Sequence, residues 1–119
     1  MPWLVRGDRV LASLEMADTP GRRMRGLLGR SSCDGALLLR PARSVHTVGM
    51  RFDLDIAHLD AEMRVVRTAR MVPQRFGRPV RGARAVLEAE AGSFERWGLA
   101  VGDELVVHAG EAPDWGVVR

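Results

Sequence analysis

Apolar residues alternate with polar ones along some segments of the chain and form short unbroken runs in others. Between Val10 and Met16 every second residue is apolar, which is typical of a strand with one buried face. Gly7 and Asp8, just before this segment, predict a turn from a preceding short strand. The run Ala36–Leu39 is apolar throughout, which predicts a strand buried on both faces.

The same reasoning predicts five further strands, over residues 45–48, 54–59, 63–72, 85–89 and 104–108. We expect the first two of these to pair as a hairpin, because only a short segment joins them. Opposed residues of such a pair share one face of the sheet, and their chain neighbours lie on the other face.

Two short helices are predicted from capping residues. A Thr-Pro pair begins the first, over residues 19–29, and a Gly-Ser pair begins the second, over residues 92–97. About eight short strands with two short helices indicate a mainly β fold, a single-domain β-sandwich or jelly-roll-like barrel. Residues 1–109 are expected to form this domain, and residues 110–119 a C-terminal tail that packs on it or frays.

The composition fits one globular domain. The 119 residues, 46% of them hydrophobic, can bury one core, and the single Cys33 excludes an internal disulfide. No apolar run reaches the length of a signal peptide's core or a membrane span. We therefore expect a cytoplasmic protein without a membrane partner.

The basic residues are all arginine, and they cluster. The 18 Lys and Arg residues include no Lys, for which a bias toward GC-rich codons is the simplest explanation. Residues 63–87 contain seven arginines and no acid, whereas acids follow from Glu88 onward. Guanidinium groups suit carboxylates and phosphates, so this asymmetry could attract a phosphorylated ligand, nucleic acid or an acidic partner. The alternative is a solvated loop whose arginines pair with the later acids.

Three segments together resemble the domain-of-unknown-function 192 family. They are residues 17–19 with 23–30, residues 46–60 beginning His-Thr-Val-Gly-Met-Arg-Phe-Asp-Leu-Asp, and residues 83–88 with 91–92 and 102–105. The resemblance implies a compact, jelly-roll-like β-sandwich with short helices at its edges and no established activity. Many relatives are exported, whereas this sequence shows no signal peptide.

The sequence also departs from the family pattern at three positions. His46 stands where many members have Trp, Asp53 where Pro usually precedes the Leu-Asp pair, and His58 at a Phe-like position. A catalytic role that depended on His46 would therefore not be general to the family.

A catalytic hypothesis joins His46 as general base, Asp55 as its orienting carboxylate and Arg51 as an anion stabiliser. The expected hairpin opposes it, because His46 would face Ile56 while Asp55 lies on the other face. We therefore predict His46 and His58 to be core-side residues with satisfied nitrogens. Asp55 is expected to accept hydrogen bonds from backbone N–H groups of the hairpin loop, residues 49–53, or from Thr47. No catalytic residue is predicted.

A metal site is the weaker hypothesis. His46, His58 and one of Asp53 and Asp55 supply ligand types that Zn²⁺ or Fe²⁺ accepts, and His108 would complete the set only on an adjacent strand. Cys33 has no activating base nearby in sequence, and no Gly-rich phosphate loop is present. We predict no metal and no cofactor.

The sequence favours a non-enzymatic binding module for a small anionic ligand or a protein partner. The predicted ligand-binding residues are His46, Met50, Arg51, Phe52, Asp55, Arg75, Arg78 and Arg81. In this set Met50 and Phe52 either line a pocket mouth or plug the end of the sandwich. One alternative is a hydrolytic or metal-assisted enzyme centred on His46, Arg51 and Asp55. The other is weak nucleic-acid binding through the arginine-rich loop of residues 73–82. Nucleic acid is not favoured, because few aromatics accompany the arginines.

Overall fold

The computed structural model describes residues 2–19 and 35–111, which form seven strands and one short helix. The strands are β1 (Trp3–Arg6), β2 (Arg9–Ala17), β3 (Ala36–Leu39), β4 (Leu54–Leu59), β5 (Val65–Met71), β6 (Ala85–Glu90) and β7 (Val106–His108). Helix α1 (Ser93–Trp97) lies between β6 and β7. The first predicted helix and Cys33 fall outside the described residues.

The strands form one mixed sheet in the order β5-β4-β6-β3-β2-β1-β7, in which only β2 and β3 pair in parallel. The mainly β class is confirmed, and the sheet does not close into a barrel. The two edge strands are nevertheless linked by backbone hydrogen bonds between the start of β5 and the segment before β7. The Val65 N–H donates to the Asp103 carbonyl at 2.8 Å, and the Leu105 N–H donates to the Met63 carbonyl at 2.9 Å.

Two hydrophobic clusters cover opposite faces of the sheet. Their separation follows from side-chain alternation, which is clearest in β4 and β6, where nearly every residue is buried. The first core contains Leu4, Leu38, Ala57, Leu59, Leu87 and Phe94. The second core contains Leu37, Leu39, Met50, Leu54, Ile56 and Val86. The two cores cover both faces of β4, and β5 and β6 pair with its two edges.

The predicted hairpin of residues 45–48 with 54–59 is wrong. Residues 45–48 form no strand, and their one ladder contact is an antiparallel bridge from His46 to Phe76. Backbone hydrogen bonds tie this segment to the loop after β5, where the Thr47 N–H donates to the Arg75 carbonyl at 2.7 Å. Of residues 45–48 only His46 makes a bridge, and Val48 lies in a turn, so periodicity predicted neither the conformation of this segment nor its partner. No helix within residues 2–19 and 35–111 has the length and apolarity that a bilayer crossing requires.

The start of β3 depends on a glycine. Gly35 has a φ of +85°, and a Cβ at this position would lie within 2.5 Å of the Ser13 carbonyl oxygen. Gly82 has nearly the same φ, +84°, with nothing within 4 Å of its added Cβ. The two positions therefore share the backbone strain of a left-handed residue, and only Gly35 adds a steric overlap.

We expect Gly82→Ala to lower the free energy of unfolding by about 1–2 kcal/mol, the cost of a non-glycine residue in this region. Gly35→Ala should cost several kcal/mol more, because the β2–β3 pair must separate to admit the methyl group. Urea unfolding of both variants measures the difference. Equal losses would contradict the close approach of Gly35 to β2.

Candidate functional site

Strand β4 carries two buried polar residues, and alternation sends them to opposite faces of the sheet. Asp55 lies on the face of the first core, with Ala57 and Leu59. His58 lies on the face of the second core, with Leu54 and Ile56. The two side chains therefore serve separate environments, although only two residues lie between them.

The Asp55 carboxylate joins three elements of the fold. Its Oδ2 accepts hydrogen bonds from the backbone N–H groups of Gly92, at 2.9 Å, and Phe94, at 3.1 Å. Its Oδ1 accepts a hydrogen bond from the Arg70 Nε at 3.1 Å. The expectation that Asp55 binds backbone N–H groups is confirmed, but the partners belong to the start of α1 and not to the 49–53 loop or Thr47.

A cleft opens on the other face, between the outer strand β5 and two loops. Strands β4 and β5 contribute His58, Arg67, Ala69 and Met71, which share one face in the register. The loops contribute Val45 and residues 76–78. Arg70 completes the lining, although its Nε points to Asp55. The cleft has a volume of about 310 Å³, which is at the small end of the range for ligand sites.

His58 is the buried polar residue of this cleft. It is 6% exposed, and neither ring nitrogen has a hydrogen-bond partner among the described residues. Burial, and secondarily the positive charge of Arg67, lower the pKa of His58 below its ordinary 6.5. The prediction that His58 faces the core is confirmed, whereas the prediction that its nitrogens are satisfied is wrong. Buried nitrogens without hydrogen-bond partners lower the free energy of unfolding, and no other contact of His58 in the described part of the chain explains why they are retained.

Two exposed arginines border the cleft. Arg67 stands directly opposite His58 in the β4–β5 pairing, and Arg78 comes from the loop. Within the part of the chain that the structure describes, neither guanidinium has an ion pair or a hydrogen bond, and the cleft lining contains no acid. The cleft therefore presents uncompensated positive charge next to an imidazole that lacks partners.

Thr47 holds the two loops together. This residue is fully buried, and its Oγ1 donates to the Val72 carbonyl at 2.7 Å while accepting from the Arg75 N–H at 2.9 Å. The Gly77 N–H donates to the Val45 carbonyl at 2.8 Å, and a Cβ on Gly77 would lie equally close to that oxygen. These contacts fix residues 76–78 beside β5 and so shape the cleft.

The structure places the predicted site residues in several environments. Arg78 lines the cleft, and His46 is exposed and packs against the Phe76 ring with 5.9 Å between centroids. The prediction that His46 is a core-side residue is therefore wrong, because its segment pairs with a loop and not with β4. Met50 and Phe52 pack on the second core, which matches the plug alternative.

The remaining predicted residues do not gather around His46. Arg51, Arg75 and Arg81 are exposed and lie outside the cleft lining. The Arg75 Nη1 donates to the Gln74 carbonyl of its own loop at 3.2 Å. Asp55 is occupied by α1 and Arg70, so its carboxylate orients no imidazole. Within residues 2–19 and 35–111, no three His, Cys, Asp or Glu side chains are grouped to hold a metal ion.

Sequence reasoning missed the roles of His58, Arg67 and Phe76 in one cleft. Arg67 belongs to the acid-free run of residues 63–87 described above. The predicted strands 54–59 and 63–72 are also long enough and close enough along the chain to pair. The assumed hairpin concealed it, because β4 was given a different partner. A correct β4–β5 register places Arg67 opposite His58 at once.

Glu88 is a third buried polar residue. It stands opposite Leu37 on β3 and Ile56 on β4 and is 3% exposed. Burial raises the pKa of Glu88 from its ordinary 4.5 to about 7. No side chain or backbone group among the described residues donates a hydrogen bond to it. An apolar setting of this kind penalises the ionised carboxylate.

The fold and the cleft define the class of protein: a mainly β domain with one mixed sheet and a cationic cleft at its outer strand. The chain belongs to the DUF192 family, described as uncharacterised ACR, whose profile matches residues 4–107. The resemblance seen in the sequence is thereby confirmed, and this family membership names no ligand or activity.

Two archaeal relatives are similar in sequence. A UPF0127 protein of Thermococcus sibiricus is 31% identical over 98 residues, which cover 77% of this chain and 64% of that protein. The chain thus spans under two thirds of that relative's length. A UPF0127 protein of Pyrococcus furiosus is 28% identical over 107 residues, covering 86% of this chain and 92% of the relative.

Two solved structures share the fold. A protein of unknown function from Novosphingobium aromaticivorans has a TM-score of 0.77 and 26% identity, and the match covers 88% of this chain and 83% of that one. A Sinorhizobium meliloti protein, described as a candidate transcription regulator, has a TM-score of 0.76 and 22% identity over 89% of this chain and 91% of its own. At this identity the second likeness shows the fold alone.

Removal of the Asp55 carboxylate should destabilise the protein. We expect Asp55→Ala to lower the free energy of unfolding by about 3 kcal/mol, because the Gly92 and Phe94 N–H groups lose their acceptor inside the protein. Arg70→Ala should cost about 1 kcal/mol or less, since the Arg70 side chain is 54% exposed. Urea unfolding compares them, and losses of equal size would contradict the central role of the α1 contacts.

Glu88 should make stability fall as the pH rises. Its pKa is higher in the folded protein, so the folded state holds a proton that the unfolded state releases above about 4.5. The gap between about 7 and 4.5 corresponds to about 3 kcal/mol, lost progressively between these values. Glu88→Gln removes this loss, so the variant should exceed the wild type in unfolding free energy by more near about pH 8 than near about pH 5.

Glu90→Gln is the matched control for this measurement, because Glu90 lies on the same strand and face but is only half-buried. The Glu90→Gln variant gives the baseline against which the pH-dependent effect of Glu88→Gln is compared. A Glu88→Gln effect independent of pH would show that the Glu88 carboxyl ionises without penalty.

Proposed function

We propose that this domain binds a small anionic ligand in the cleft between β5 and the loops, and that it does so without catalysing a reaction. The observation that carries the proposal is His58, whose two buried nitrogens lack partners beside two arginines that lack counter-ions. The oxygens of an anion can accept hydrogen bonds from His58 and its charge can neutralise the two arginines, because guanidinium and imidazolium groups are donors only.

The charge of the cleft favours a doubly charged anion such as a phosphate or sulfate. Arg67 and Arg78 contribute two fixed positive charges, and the lining contains no acid. Protonation of His58 would add a third charge beneath them. The His58 nitrogens are buried although the residue lines the cleft, so binding requires a side-chain movement, which the exposed Arg67 opposite the ring can provide.

The cleft supports a small ligand better than a nucleic-acid strand. A strand would need a basic track, but Arg75 and Arg81 lie outside the cleft, and Arg75 bonds to its own loop. The small volume of the cleft also fits a compact ligand. A protein partner would use the same chemistry if it inserted an acidic or phosphorylated side chain.

Sulfate and inorganic phosphate are the probes that test this proposal. Isothermal titration should detect binding to the wild type, and Arg78→Ala should weaken it about ten-fold or more, the loss expected for one charge-assisted hydrogen bond. Arg81→Ala is the matched control, because it removes the same charge from the same loop outside the cleft. Equal weakening by both variants would indicate attraction by net charge only and contradict the site.

Binding should also strengthen as the pH falls. Sulfate keeps its charge between about pH 8 and about pH 6, whereas His58, whose pKa is lowered in the free protein, must take up a proton to donate from both nitrogens. The affinity for sulfate should therefore rise as the pH falls across this range. The rise should vanish in His58→Gln but persist in Glu88→Gln. A rise that persists in His58→Gln would exclude His58 as the titrating group.

A further inference from the structure

Phe76 is an exposed aromatic residue in the wall of the cationic cleft. It is 80% exposed, far more than Val48 or Val72, the nearest exposed apolar residues along the two loops. Aromatic side chains contribute to folding chiefly when they are buried, so the core gains little from this ring. Ligand sites are commonly lined by aromatic side chains together with a few polar groups, which is the combination that Phe76 and the cationic residues make here.

The backbone on both sides of Phe76 is held in place. Arg75 accepts a hydrogen bond from the Thr47 N–H at 2.7 Å, and Gly77 donates to the Val45 carbonyl at 2.8 Å. The His46 ring packs on the phenyl group with 5.9 Å between centroids and an angle of 43° between planes. The loop therefore presents Phe76 at a fixed place while most of its ring surface stays open to solvent.

We infer that the ligand of this cleft is a phosphorylated small molecule with a planar aromatic ring, for which a nucleoside monophosphate is the simplest example. This inference rests on the anion-binding function proposed above and names its ligand class. The phosphate lies between Arg67 and Arg78 and bonds to His58, while the planar ring stacks on Phe76. Base–aromatic stacking is strong and tolerant of base identity, because every base has a π-face.

The proportions of the cleft suit one nucleotide. A volume of about 310 Å³ holds a compact ligand. The groups that would bind the phosphate and the ring lie close together, in the segment 76–78 and on β5. Val45 and Met71 add apolar surface to the lining, which a ring or a sugar can cover and a free phosphate cannot.

Isothermal titration of the full chain with adenosine monophosphate and with ribose 5-phosphate tests the inference. Both carry the same phosphate and sugar, and only the first has a planar ring. The wild type should bind adenosine monophosphate about ten-fold or more tightly than ribose 5-phosphate, the contribution expected of one stacked base. Phe76→Leu, which keeps an apolar side chain, should abolish this preference, because it should weaken adenosine monophosphate binding far more than ribose 5-phosphate binding.

Val48→Ala is the control, because it alters a partly exposed apolar side chain outside the cleft lining, and it should preserve the preference. Upfield shifts of the adenine protons on binding, lost in Phe76→Leu, would support stacking directly. Equal affinity of the wild type for the two compounds would overturn the inference and leave anion binding standing. Binding of neither compound, nor of sulfate or phosphate, would overturn both proposals.

Discussion

The hydrogen bonds of the buried Asp55 carboxylate fix the orientation of β4, on which the rest of the arrangement depends. They tie β4 to the start of α1 through Gly92 and Phe94 and to β5 through Arg70. Because Asp55 must face α1, alternation along the strand sends His58 to the other face. A one-residue slip in register would turn His58 toward the first core and remove Asp55 from its three donors. The structural carboxylate thus determines where the cleft's imidazole lies.

The polar residues buried in this sheet differ in how well they are satisfied. Asp55 accepts three hydrogen bonds and Thr47 makes bonds to two carbonyls and one N–H group, so both stabilise the fold. His58 has no partner for either nitrogen, and Glu88 is held among apolar residues that raise its pKa. Apolar residues of similar size at these two positions would make the fold more stable. Glu88 faces Leu37 and Ile56 and lies outside the lining of the cleft described above, whereas His58 is part of that lining. That difference separates the candidate site from a destabilised core position.

The sequence predicted local conformation well and partners less well. The apolar run at β3, the segment 54–59 at β4 and the Gly-Ser start of α1 determine local structure through burial and backbone geometry, and all three elements are present as expected. The sequence pattern of residues 45–48 also predicted a strand, yet these residues form none and bond to a loop, because the two edges of β4 are taken by β5 and β6. That competition depends on long-range pairing, which periodicity does not encode. The error moved His46 into the core and left His58 without its arginine neighbour.

The candidate site was predictable in chemistry but not in geometry. The excess of arginines between residues 63 and 87 indicated an anion, and Arg78 was among the residues named for it. Which arginines converge depends on strand register and on the Thr47 contacts. Register carries Arg67 to the His58 face, while Arg70, three residues later, reaches Asp55 on the other.

The arginines and the histidine have complementary roles in the proposed site. A guanidinium stays charged at any physiological pH, so Arg67 and Arg78 attract an anion whatever the state of the cleft. Burial, and secondarily the positive charge of Arg67, lowers the pKa of His58 and so favours the neutral ring when no ligand is bound. An anion between them reverses the balance, since it neutralises the arginines and favours imidazolium. The cleft would therefore gain its third charge only when a ligand compensates it, which limits the cost of burying that charge in the folded protein.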